Sequence, residues 1–331
     1  MIVGNLDENS FGVVVIGRNE GARLVNCLSS VVGQSKAIVY VDSGSTDGSV
    51  DMAWNKGVSV VKLDMSLPFT AARARNEGVY RLRQLEPEIS FIQFVDGDCE
   101  VVHGWLDQAV TFLVQHPDVA VVHGRRRERY PERSVYNMMC DIEWDTPIGE
   151  AKSCGGDAMM RASAFMTIGG YRGSLIAGEE PELCVRLRAL GWKIWCLDAE
   201  MVLHDAAMEK FRQWWRRSLR GGHACEEGAY LHGAPPERHR VRESRRGWWW
   251  GLGVPVMIIV AMFYYGVWGA TLALIYPVQI VRLALRERNS SPAPWWRALF
   301  LVLGKFPEML GQLQFVYSRL RGQATRLIEY K

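Results

Sequence analysis

The 331-residue chain has almost no excess of charge. Its 39 Lys and Arg against 36 Asp and Glu leave a net charge of +3. That is too little for a ligand as densely anionic as nucleic acid, and there is no basic–aromatic surface pattern to support one. Cysteine is sparse and shows no paired spacing. Cys27, Cys99, Cys140, Cys154, Cys184, Cys196 and Cys225 lie far apart, mostly in apolar settings. This argues against a thiolate metal centre and a disulfide framework, and for a reducing, cytosolic environment. Both common phosphate loops are absent, since neither GxGxxG nor GxxxxGK occurs. Any phosphate must therefore be met by a metal and by arginine rather than by a glycine-rich cradle. There is no internal repeat and no low-complexity tract. Met1–Asn9 carries neither a cationic flank nor a long apolar run, so no cleaved secretion signal is expected.

What is present is a globular composition, 48% hydrophobic and 23% charged, enough for a large core. Gly12–Gly17 (GVVVIG) is a β-branched run and reads as a buried strand. It is followed by Arg18-Asn19-Glu20-Gly21 and a helix with Leu24, Cys27, Leu28 and Val31 at helical spacing. Ala37–Val41 and Ser59–Lys62 are further strands, and Ala71–Leu85 is a helix opening on Arg73-Ala74-Arg75-Asn76. Strands and helices alternating at this interval predict βαβ units and a mostly parallel sheet, an α/β fold. The next strand, Phe91–Val95, ends abruptly in Asp96-Gly97-Asp98. Two carboxylates just past a strand end project into the crevice where open α/β sheets bind ligands. Hard oxygen donors one residue apart suit Mg2+ or Mn2+ shared with a substrate phosphate. A plain polar turn is the competing reading.

Two other segments admit both a plain and a chemical reading. Asp42-Ser43-Gly44-Ser45-Thr46-Asp47-Gly48 is either a turn and helix cap or a nucleotide loop. Glu179-Glu180-Pro181-Glu182 makes a good first helical turn, with acids at the positive end of the dipole and proline near N1. The run Arg125–Arg129 reads as solvated surface after a strand Val119–His123. Contact with an anionic headgroup or a diphosphate is the lesser alternative.

VVIGRNEG, VDSGSTDGS, ARARNEG and FVDGDCE, in this order and spacing, resemble the nucleotide-sugar domain of family 2 glycosyltransferases, which has the GT-A fold. CGGDAMMRASAF, GGYRGSLIAGEEPELCVRLRALGW, His204 and QWWRRSLRGG continue the likeness, over roughly residues 11–235. The resemblance implies an inverting transfer of a hexose from a nucleotide-diphosphate sugar, UDP-linked by preference. It places the base and ribose at Glu20 and Asp42, with Arg18, Asn19, Ser43 and Gly44 in the same pocket. Arg75 and Asn76 line the nucleotide, Asp96 and Gly97 lie beside it, and Gly156 and Asp157, with Gly155, flank the donor sugar and acceptor. The metal falls to Asp98, Asp96 and His204. The catalytic acids are Glu179 and Glu180, with Glu180 as general base where relatives carry Asp, one methylene shorter. Trp214, Trp215 and Arg217 form the acceptor rim. A retaining or nucleotidyl-transferring enzyme on the same fold, and a non-catalytic membrane scaffold, are the rivals.

The tail, residues 236–331, changes character. Trp248–Val281 holds no charged residue; about 34 residues make roughly 50 Å of helix, against a hydrocarbon core of about 30 Å. Two short crossings, or a hairpin that re-enters without spanning, both accommodate it, with the turn near Tyr264–Gly269. Arg238, Arg240, Arg242, Arg245 and Arg246 precede it, and Arg282, Arg286 and Arg288 follow, so both ends are expected in the cytoplasm. Trp248–Trp250 would anchor at the interface. Trp295–Leu320, broken at Pro307, reads as interfacial amphipathic helices. The tail resembles membrane-associated bacterial enzymes of exopolysaccharide assembly. That implies the cytoplasmic face of the inner membrane, a polyprenyl-diphosphate-linked saccharide as acceptor, and contact with membrane lipid.

Overall fold

A computed structural model describes residues 11–322; the Met1–Asn9 expectation lies outside them. The chain forms two compact units, Met1–Tyr130 with Glu143–Leu175 and Glu179–Ala206, and Pro131–Ile142 with Ile176–Gly178 and Ala207–Lys331. Residues from 207 to 235, grouped by sequence with the first domain, pack in the second unit.

The first unit runs β1 (Phe11–Gly17), α1 (Ala22–Ser29), β2 (Ile38–Asp42), α2 (Ser49–Asn55), β3 (Ser59–Lys62), α3 (Ala71–Leu85), β4 (Phe91–Asp96), β5 (Cys99–Val101), α4 (Trp105–Gln115) and β6 (Val119–Glu128). After α5 (Val135–Glu143), which belongs to the second unit up to Ile142, the first unit resumes with β7 (Gly149–Ala151), β8 (Ala158–Arg161), α6 (Ala162–Thr167), α7 (Glu179–Ala189) and β9 (Lys193–His204). The strands form one sheet in the order β3-β2-β1-β4-β8-β6-β9-β5, with β7 on β9. β1 to β4 are mutually parallel and β8 runs against its neighbours. The chain steps outward from β1 to β3, then returns to lay β4 on the other side of β1. This reversal is the switch point at which α/β sheets leave a crevice. In register, Gly17 lies opposite Asp42 and Ile16 opposite Asp96, so both aspartates emerge at the same edge.

Both faces of the central strands are covered, which explains their unbroken apolar runs. Val14, Val39, Val41, Ile92 and Phe94 pack on one side, and Val13, Val15, Phe91, Val95 and Trp105 on the other. Thr70 caps α3 by accepting from Arg73 N at 3.1 Å. A Cβ on Gly78 would strike Val14, so glycine lets α3 lie close on the sheet and carries Arg75 to the strand ends.

Two strands are longer than their apolar cores suggest. β6 continues through Arg125–Glu128, and β9 extends from Lys193 to His204, beginning well before the apolar Met201–Leu203. The arginine run is therefore not surface after a strand. It is strand, and its side chains alternate between faces.

The second unit contains α8 (Phe211–His232), α9 (Val241–Trp248), α10 (Val254–Tyr265), α11 (Ile275–Glu287), α12 (Pro294–Leu303) and α13 (Lys305–Leu320). A π-helical turn spans Trp249–Gly253 and a 3-10 helix Gly266–Leu274. α13 packs on α8 at glycines: Gly311 meets Leu219 backbone and Gly222 meets Glu308 backbone, so neither tolerates a Cβ. α13 packs in a bundle, burying Met309, Gly311, Gln312 and Phe315, and leaves Leu313 and Leu320 exposed. The chain breaks at Gly304 and not at Pro307, which is buried in the first turn of α13, where its missing N–H is not needed. Glu226 holds the unit together by accepting from Ser244 Oγ (2.6 Å), Trp248 Nε1 (3.0 Å) and Gln312 Nε2 (3.2 Å).

Candidate active site

Arg75 is the hub of the site. It is 3% exposed and grips three acids: Asp96 Oδ1 at 2.8 Å, Glu179 Oε1 at 2.9 Å and Glu180 Oε1 at 3.0 Å. The end of β4 is thereby joined to the first turn of α7, 104 residues away in sequence from Arg75 to Glu179. Gly156 forms the floor beside this knot. A Cβ there would meet Arg75 Nη2, and would lie 2.7 Å from Asp96 Oδ2.

Asp96 is held from three sides. Its N–H donates to Asp157 Oδ1 at 2.9 Å, and its carboxylate faces Arg75 and Arg126. Burial alone would raise its pKa, but Arg75, then Arg126 and His204, outweigh it and hold the carboxyl down at about 2. Asp157 has no exposed surface and its other oxygen takes Arg126 Nη2 and the Cys99 thiol.

Asp98 faces the other way. The antiparallel pairing of β5 with β9 sets Cys99 opposite His204, which brings His204 Nε2 to 3.3 Å from Asp98 Oδ2. Both side chains are buried. His204 Nδ1 has no hydrogen bond and looks at Glu128 Oε2, 3.8 Å away. This arrangement suits a divalent cation. A metal-bound imidazole offers one nitrogen lone pair to the ion and turns its other N–H to a carboxylate, and Glu128 stands in that place. Asp98 Oδ2 and His204 Nε2 are separated by about the distance two neighbouring ligands keep around a small ion, roughly 3 Å. Cys99 lies near both acids, but burial pushes its thiol pKa well up, so it remains a neutral thiol and a poor partner for a hard ion. Of the expected metal residues, Asp98 and His204 are brought together. Asp96 sits in a separate group with Asp157, its oxygens in ion pairs.

Glu180 is the second chemical feature. Burial first, then the negative charge of Glu179, push its pKa up to about 7 against the pull of Arg75. A carboxyl with that value can exchange a proton near neutrality, as a general base must.

The loops after β1 and β2 interlock. Asn19, at φ +56°, accepts from Thr46 N (2.8 Å) and its own N–H donates to Ser45 Oγ (2.9 Å); Gly21 N donates to Asp47 Oδ2 (2.9 Å). Asp42 is buried, accepting from Gly44 N, Ser45 N and the Tyr40 hydroxyl. Ser43 Oγ is buried without a hydrogen bond, Gly44 turns at φ +81°, and Arg18 is exposed. Glu20 pairs with Arg23 at 2.7 Å and underlies Gly97, where a Cβ would meet it at 3.3 Å. Asn76 spends both ends of its amide on the backbone of Tyr171, at 2.8 and 2.9 Å. Its visible role is to fix the Gly170–Tyr171 loop.

Sequence reasoning missed Arg126, Trp144 and Glu128. Arg126 turns inward to Asp157 and Asp96 and lies over Trp144, 5.3 Å from the ring centre, while Trp144 meets His204 edge-on at 4.6 Å. The period of two in β6 was the available signal: Arg126 and Glu128 face the site, and Arg127 pairs outside with Glu200. Trp214, Trp215 and Arg217, expected at an acceptor rim, lie on α8 in the second unit. Trp214 is buried against Phe300, 4.9 Å between ring centres, and Trp215 is half-buried.

Residues 12–167 match the family model described as glycosyl transferase family 2. The chain carries a family 2 glycosyltransferase domain with the GT-A fold. A curated relative, glycosyltransferase AglE from Haloferax volcanii, is 22% identical over 197 residues, covering 55% of this chain and 62% of that protein, less than two thirds of its length. Among solved structures, mannosyltransferase PcManGT from Pyrobaculum calidifontis, in complex with GDP-Man and Mn2+, superposes with a TM-score of 0.60 at 16% identity, covering 94% of this chain and 88% of that one. That likeness is one of fold.

Proposed function

We propose that the protein is an inverting glycosyltransferase. It moves a hexose from a nucleoside diphosphate sugar to a hydroxyl of a lipid-linked saccharide, at the cytoplasmic face of the inner membrane, in exopolysaccharide or cell-surface polysaccharide assembly. The donor favoured first is UDP-linked; GDP-mannose is the second, because PcManGT was solved with it. One observation carries the reading. Arg75 ties Asp96, two residues from the Asp98–His204 pair, to the acids Glu179 and Glu180. A site for a diphosphate and a site for a proton acceptor are thus held in fixed relation.

Glu180 accepts the proton of the acceptor hydroxyl as that oxygen attacks the anomeric carbon. The bond from that carbon to the diphosphate breaks on the opposite face, so configuration inverts. Arg75 keeps the Glu180 carboxylate oriented. Asp157 and Arg126 hold Asp96 in place at the end of β4. Asp98 and His204 would hold Mn2+ or Mg2+, which neutralises charge on a departing diphosphate. Arg18, Asn19, Glu20, Asp42, Ser43, Gly44, Asn76, Gly97 and Gly156 shape the nucleotide-sugar pocket. Membrane association is supported by a stretch long and apolar enough to cross a bilayer, within Val241–Glu287, of which little is buried.

The test is a screen of nucleotide sugars with the purified protein, with and without Mn2+, followed by NMR of the product's anomeric centre. Inversion and loss of turnover in Glu180→Ala are expected. Retained turnover in that variant removes the base assignment, a retained configuration removes the inverting mechanism, and nucleotide binding without any transfer favours a scaffold.

A further inference from the structure

In the second unit an apolar prong projects between α9 and α11. Its neck is closed by the Tyr276 hydroxyl donating to Trp250 O at 2.7 Å, with the two rings 6.0 Å apart. From there α10 runs out to Tyr265, the chain reverses at Gly266 (φ +58°), and the 3-10 helix Gly266–Leu274 runs back. The legs touch backbone to backbone: a Cβ on Gly269 would collide with Ala261 and Met262. The apolar run is therefore folded in two.

We propose that this prong is a re-entrant hairpin, which enters one leaflet of an anionic bilayer and leaves on the side from which it came. The proposal deepens the membrane association read above and rests on it. Length is the first argument. From Trp250 to Tyr265 the outward leg measures about 22 Å as α-helix. The nine-residue return is about 18 Å as 3-10 helix. One leaflet with its headgroups is about 20–22 Å deep, and a crossing needs about 30 Å of hydrocarbon alone. Each leg reaches the midplane and no further. Surface is the second argument. Phe263, Tyr264, Tyr265, Val267 and Trp268 at the tip are 72–84% exposed, and Val256, Ile259 and Val260 along α10 are also exposed. Apolar surface on this scale in one projecting element marks a contact site. With helices on both legs, nearly all backbone groups are satisfied internally, as lipid demands.

Charge supplies the third argument and selects the lipid. Arg242, Arg245 and Arg246 are exposed on α9, and Arg282 and Arg286 are exposed on α11. The Trp250–Tyr276 closure places the two flanking segments at one end of the prong, so these arginines gather around the neck. Cations ringing the base of an apolar insertion complement anionic headgroups.

The full-length protein is bound to sealed vesicles of phosphatidylglycerol and phosphatidylcholine. A membrane-impermeant maleimide is supplied outside or trapped within, and labelling is compared with the unaltered chain. Phe263→Cys should react with neither reagent until detergent is added, and Arg245→Cys should react from outside. Labelling of Phe263→Cys from the lumen means a spanning hairpin, and labelling from outside means a surface-lying one; either overturns the proposal. Removing Arg242, Arg245 and Arg246 together (each to Ser) should weaken partition onto these vesicles about a hundredfold, and added salt should weaken binding of the unaltered chain. Indifference to both overturns the anionic selection. Labelling reads insertion without turnover, so an inactive chain that inserts and an active chain that does not are told apart.

Discussion

Replacing Glu179 by Gln tests the proposed base through its neighbour. Glu179 Oε1 and Glu180 Oε1 both lie on Arg75 Nη1, at 2.9 and 3.0 Å, so the two oxygens stand no more than about 6 Å apart. At an effective dielectric of about 20, unit charges at that separation repel by about 3 kcal/mol, equivalent to about two pH units. Glutamine removes that charge and leaves Arg75 freer to favour the Glu180 carboxylate, so both effects lower the Glu180 pKa from about 7. The group must be deprotonated to act, so activity rises with pH through its pKa. The acid limb of kcat/KM, which reports the free enzyme, should stand near pH 7 in the unaltered protein at saturating Mn2+. In Glu179→Gln it should move down by about one to two units. Stability follows with its own sign. A carboxyl whose pKa is raised by folding contributes stability below its unfolded value and loses it as pH climbs through about 7. Glu179→Gln should soften that loss in thermal melts. An acid limb that stays put, or moves up, refutes the placement of Glu180 as base beside a charged Glu179.

Other outcomes follow from the same knot of charge. Arg75→Met leaves Asp96, Glu179 and Glu180 crowded without their cation, and should cost about 3–5 kcal/mol in denaturant unfolding; a smaller loss than about 1 kcal/mol means the ion pairs are not sustained in solution. Gly156→Ala puts a methyl group into the Arg75–Asp96 pair, and should raise the Kd for nucleotide sugar at least about tenfold in calorimetry, with far-UV circular dichroism unchanged. His204→Ala should weaken Mn2+ binding at least about tenfold, and titration with an unchanged affinity rules out the Asp98–His204 pair as the metal site.

Much of the first unit is set by short-range pattern. β-branched runs, helical spacing in α1 and α3, and Asp-Gly-Asp after an apolar strand are local properties, and the structure returns Ser59–Lys62 and Ala71–Leu85 with the expected ends. The polar extensions of β6 and β9 escaped because charged residues paired within a sheet look like loop until their partner strand is known. Arg126 shows this most clearly: a period of two separates it from Arg127 only once the run is known to be strand, and the register with β9 and Asp157 behind it turn Arg126 inward and leave Arg127 on the surface.

Local pattern sets which residue types are available: the acids at two strand ends, the acid pair opening α7, and an uncharged stretch bounded by arginines. Tertiary structure decided how they are used. Electrostatic pairing commits Asp96 to Arg75, 21 residues away in sequence, and leaves Asp98 to His204, more than a hundred residues away, because each carboxylate takes the donor that the fold brings nearest. Backbone contact at Gly269 then folds the uncharged stretch on itself, since a residue without a side chain lets two helical legs lie closer than their composition alone would indicate.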